Sequence, residues 1–136
     1  MLKWVETMKI NEKISKALKS ATTHLENSML ALNKKDENSF ADSLWHVAAE
    51  LEYILFLFSI TFPNESDQSK WKPNPELKSE TGSMLVDVGD LLDEAERFVV
   101  NERLLDAYKS AYIAKHYILK IQEDLDKKKR EMLKKK

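Results

Sequence analysis

The sequence predicts an all-α fold, an antiparallel four-helix bundle made of two related helical hairpins joined by a long loop. Three observations carry this. Only two glycines and three prolines occur in 136 residues, 33% of them charged, so extended β-turn architecture is disfavoured and long helices are favoured. Apolar residues recur at three- and four-residue spacing in four separate stretches. All three prolines fall in one connection near the middle of the chain.

The first helix is expected over about residues 9–33, where Ile14, Leu18, Ala21, Leu25 and Leu32 share a face and Lys9, Lys13 and Lys16 lie on another. The cluster NKKDENS interrupts the pattern and offers Asn38 or Ser39 as the cap of a second helix, about 39–61. That helix turns Phe40, Leu44, Val47, Leu51, Ile54 and Phe58 inward, and Phe62-Pro63-Asn64 ends it. The stretch TFPNESDQSKWKPNPELKSETGS is longer than two packed helices need, so it reads as a crossover, a lid or a mobile loop. A third helix, about 83–100, presents Leu85, Val88, Leu91, Leu92, Ala95, Phe98 and Val99. After a short reversal the fourth runs over about 102–126, leaving 127–136 as a basic tail that either extends it or frays.

Residues 40–55, FADSLWHVAAELEYIL, align without gaps on 104–119, LLDAYKSAYIAKHYIL, with Asp42 on Asp106 and Tyr53-Ile54-Leu55 on Tyr117-Ile118-Leu119. Each segment follows an amphipathic helix and a short turn, so the chain reads as a repeated hairpin. Small residues at Ala48, Ala49, Ala107, Ala111 and Ala114 would let the second and fourth helices approach closely.

The composition also narrows function. With no cysteine, disulfides, thiolate nucleophiles and cysteine-ligated metals are excluded. The start, MLKWVETMKINEK, has no apolar core of a signal peptide, and no apolar run reaches the roughly 20 residues of a membrane span, so a soluble, cytoplasmic chain is expected. The lysine and glutamate content points toward a thermophile. A net charge of −1 conceals a body of about −7 carrying a tail of about +6, so nucleic-acid contact is expected only of the tail, at Lys127, Lys128, Lys129 and Arg130. Glycine-flanked serines and phosphate-binding glycine loops are missing, which leaves no nucleophile elbow and no nucleotide cradle.

Two patterns bear on chemistry. Asp42, His46 and Glu50 follow one another at four-residue spacing, and His24 and His116 sit on other helices; convergence of these five would make a divalent-metal site for a metal-dependent hydrolase or nucleotide-processing protein. The bland alternative is a polar helix margin, and the lack of any Glu-x-x-His pair argues against a di-iron bundle. Asp87, Asp90 and Glu94 form another acidic stripe, best read as a solvated face with Arg97 one turn on.

The second pattern is apolar excess. Tyr53, Ile54, Leu55, Phe56, Leu57 and Phe58 surround their helix, whereas a bundle core needs one face. Tyr53, Phe56 and Leu57, with Trp71 of the loop, are therefore expected at an interface, with a homodimer or another protein as the partner and no cofactor.

The order of hairpin, long loop and hairpin, carried by LNKKDENSFADSLWHVAAELEYIL and LLDEAERFVVNERLLDAYKSAYIAKHYIL, resembles the HEPN-like archaeal helical-bundle proteins. Ribonuclease members of that superfamily carry an arginine followed four to six residues later by histidine; here Arg103 precedes His116 by thirteen positions. The resemblance thus implies the non-catalytic roles, dimerisation and partner or nucleotide association.

Overall fold

The computed structural model describes residues 2–64, 71 and 80–134, with side chains from Lys9 onward. Four helices make up the fold: α1 (Leu2–Asn33), α2 (Glu37–Thr61), α3 (Thr81–Val100) and α4 (Leu104–Lys134). Among the described residues there is no strand. The chain is an all-α four-helix bundle of two hairpins, as its patterning requires.

Five helix boundaries differ from expectation, α3 beginning at Thr81 rather than near 83 and α4 at Leu104 rather than near 102 among them. α1 begins at Leu2 rather than near Lys9. α2 begins at Glu37 because Asp36, not Asn38 or Ser39, is its cap: Asp36 accepts hydrogen bonds from the Ser39 amide at 3.2 Å and the Ser39 hydroxyl at 2.8 Å. α4 runs through the basic segment to Lys134, since lysine and arginine are good helix formers and suit a helix C-terminus. Lys135 and Lys136 lie outside the described residues, as does most of the long connection, including the lysines flanking Trp71.

α1 packs on α2 and α3, and α4 packs on α3 and α2, so α1 and α4 are diagonal, as are α2 and α3. Side-chain pairs set the directions. Phe58 stacks on Tyr108 and Glu52 reaches Lys115, so α2 and α4 are antiparallel. Leu25 lies beside Gly89 and Lys19 near Glu96, so α1 and α3 are antiparallel too. With both hairpins antiparallel, diagonal α2 and α3 point the same way, so the end of α2 and the start of α3 lie at opposite ends of the bundle. Trp71, which lies between them in the chain, is buried against Tyr108 and Tyr112 of α4 at ring separations of 4.8 and 5.6 Å.

The hairpins are related in three dimensions, but in a different register from the one their sequences suggest. Both turns hold a non-glycine residue in the left-handed region, Lys35 at φ 58° and Glu102 at φ 59°, which are 67 positions apart. Their hydrogen bonds match one for one. The amides of Lys34, Lys35 and Asp36 donate to Leu30, Leu32 and Ala31, and those of Asn101, Glu102 and Arg103 donate to Arg97, Val99 and Phe98. Burial follows the same offset: Phe40, Leu44, Val47, Leu51 and Ile54 correspond to Ala107, Ala111, Ala114, Ile118 and Ile121, all buried. So do Ala17, Leu18, Ala21, Leu25 and Ser28 with Met84, Leu85, Val88, Leu92 and Ala95. The 64-residue alignment of 40–55 on 104–119 is therefore three residues out. A shift of three, close to one helical turn, preserves an amphipathic pattern, so sequence similarity alone does not separate the two registers.

At these equivalent positions large residues often replace small ones. α2 is bulkier than α4 at Phe40, Leu44 and Val47, and α1 is smaller than α3 at Ala17 and Ala21. The core volume is shared unequally between related helices.

Candidate interaction surface

The five residues of the expected metal set do not come together. His24 and His46 do meet across the α1–α2 seam, their rings stacked at 4.8 Å and 17°, and His46 Nε2 lies 3.7 Å from Asp42 Oδ2. His116 is elsewhere, on α4, edge-on to Tyr112 at 4.5 Å; α4 is diagonal to α1 and shares no packing with it, so the three histidines cannot share an ion. Glu50 lines the α1–α2 rim with Lys13, Lys16 and Tyr53. Among the described residues no group of three His, Asp or Glu side chains is placed to hold a metal. Burial, and then Lys115, holds the His116 imidazole below its ordinary range. The 67-residue offset sets Leu91 and Ile113 at the positions of His24 and His46, and these two line one groove between α3 and α4. The histidine pair thus occupies positions at which its sister hairpin has two aliphatic residues, in a groove that Asp87, Asp90, Glu94 and Tyr117 also line.

The interface expectation divides. Leu57 is 5% exposed and Trp71 9% exposed, so both belong to the interior, Leu57 on the α2 side of the core and Trp71 as a plug on α4. Phe56 at 58% and Tyr53 are exposed. Two residues missed in the sequence complete the outer face: Trp45 at 61% and Ile60 at 51%. With exposed Ala49 and Glu52, they form the stripe 45, 49, 52, 56, 60, the spacing of one helix face. The stripe is legible in residues 44–60, LWHVAAELEYILFLFSI, at the spacing 45, 49, 52, 56, 60.

Trp45 and Ala41 border a groove with Gln122, Leu125, Asp126 and Lys129 of α4. The stripe's charged member, Glu52, is ion-paired to Lys115. By the same offset, α4's corresponding stripe is Tyr112, His116, Leu119, Glu123 and Lys127, which is polar toward its C-terminal end and bears Trp71 on Tyr112. Against the expectation that no apolar stretch reaches a membrane span, α2 is long and apolar enough to cross a membrane by length and composition alone, and its inner stripe is buried in the bundle. Lys127, Lys128, Lys129 and Arg130 are exposed on the last turns of α4.

Comparison with protein-family models, with curated proteins and with solved structures finds no match to this chain.

Proposed function

We propose that this chain is a non-enzymatic helical bundle whose role is association, in the first place with a second copy of itself, through the outer face of α2. The observation that carries the reading is the pair of large aromatics, Trp45 and Phe56, more than half exposed on a helix whose inner stripe is already buried. Large apolar groups at this density are ordinarily covered by a partner, and Trp and Tyr are typical anchors of such contacts. A cytoplasmic location and kinship with the non-catalytic HEPN-like bundles go with this reading, both carried by the sequence pattern.

Light scattering coupled to size exclusion tests it. The wild-type chain is expected to run as a dimer at tens of micromolar, and Phe56→Lys as a folded monomer, since a side chain so exposed contributes little to the core. A wild-type monomer, or a dimer indifferent to Phe56→Lys and Trp45→Ala, overturns the proposal.

A further inference from the structure

The groove between α3 and α4 carries charge that the fold does not use. Asp87, Asp90 and Glu94 line it from α3, Tyr117 from α4, and Leu91 and Ile113 supply hydrocarbon between them. All three carboxylates are exposed, and among the described residues none has an ion pair or a hydrogen bond; Arg97, one turn beyond Glu94, does not pair with it. The sister hairpin shows that the architecture does not require these charges. The 67-residue offset sets Ser20, Thr23 and Asn27 at the positions of Asp87, Asp90 and Glu94, so the equivalent seam folds with three neutral side chains.

A second observation points into the same groove. Tyr117 is 9% exposed, yet its hydroxyl has no hydrogen-bond partner among the described residues. Burial, and then the charge of Asp87, raises the pKa of this phenol, so its oxygen faces the Asp87 carboxylate and stays protonated. The hydroxyl is an unused acceptor at the Asp87 end of the groove.

We propose that this groove binds an extended aliphatic triamine, with its ammonium groups on Asp87, Asp90 and Glu94, its methylenes on Leu91 and Ile113, and one terminal ammonium also on the Tyr117 hydroxyl. A single metal ion does not fit, because among the described residues no three carboxylates are placed to share one. Spacing selects the ligand. Positions 87, 90 and 94 are three and four residues apart, a rise of about 4.5 and 6 Å along α3. Nitrogens joined by three and by four methylenes are about 5 and 6 Å apart in an extended chain. Lysines on one side of an extended peptide recur about every 7 Å, which misses the first interval. Exposed ion pairs are individually weak, so the affinity comes from one flexible chain engaging three carboxylates at once.

Isothermal titration calorimetry of the full chain with spermidine, the triamine that has these two spacings, tests the site at fixed ionic strength. A 1:1 complex is expected, about tenfold tighter than with 1,4-diaminobutane, which lacks the third ammonium. Asp90→Asn is expected to weaken it about tenfold and Tyr117→Phe about fivefold, with circular dichroism establishing that both variants keep their helices. Glu37→Gln, on α2 and outside the groove, is expected to leave binding unchanged. No binding, binding indifferent to Asp90→Asn, or an equal loss with Glu37→Gln overturns the site. A lysine peptide of equal charge, or magnesium, binding more tightly than the triamine overturns the ligand class.

Discussion

The His116 imidazole is the residue-scale feature with the clearest consequence. Burial, and then Lys115, makes its proton affinity lower in the folded than in the unfolded chain, so its contribution to stability is intact above pH 6.5 and declines as pH falls through that value. His116→Gln is expected to shrink the drop in urea midpoint between about pH 7.5 and 5.5. An unchanged drop would show that His116 does not link folding to pH. The pair His24–His46 is a packing contact, its rings stacked at 4.8 Å across the α1–α2 seam. Sequence spacing placed Asp42, His46 and Glu50 correctly on one helix, but whether His24 and His116 joined them depended on which helices are diagonal.

At the scale of elements, the two interhelical turns are the same structure built from different residues. Each places an ordinary side chain, Lys35 or Glu102, at a φ that glycine adopts without steric cost. Lys35→Gly and Glu102→Gly are each expected to stabilise the fold by up to about 1 kcal/mol, and by similar amounts because the hydrogen bonding is identical. Chemical denaturation of the two variants checks both the sign and the equality. The turns were legible as chain reversals from NKKDENS and from the short break between the third and fourth apolar stretches, yet the left-handed residues were not, since neither is glycine or asparagine. Helix ends proved legible to within a few residues where an apolar pattern stops. The exception is the tail of α4, where helix propensity continues beyond the apolar stripe, and the earlier start of α1 has the same character.

At the scale of the whole molecule, two related hairpins with α2 and α3 pointing the same way on the diagonal define the architecture. Trp71, between those helices in the chain, is packed on Tyr108 and Tyr112. Trp71→Ala is expected to destabilise the chain by about 3 kcal/mol while leaving its oligomeric state unchanged at temperatures where it stays folded. Calorimetry with light scattering measures both, and loss of the dimer without loss of stability would return Trp71 to the interface. The sequence by itself determined the class of fold, the four helices, their inner faces and the surplus of apolar residues on α2, because each is written in local periodicity and composition. Only the tertiary structure decided the repeat register, the diagonal placement that separates His116 from His24, and which apolar residues of α2 remain uncovered. These depend on which helices touch and in what direction, and an amphipathic pattern that survives a shift of one turn carries no record of either. Residues 44–60, LWHVAAELEYILFLFSI, therefore carry an excess of hydrocarbon, and packing determined that Trp45, Phe56 and Ile60, rather than Leu57, stand at the surface.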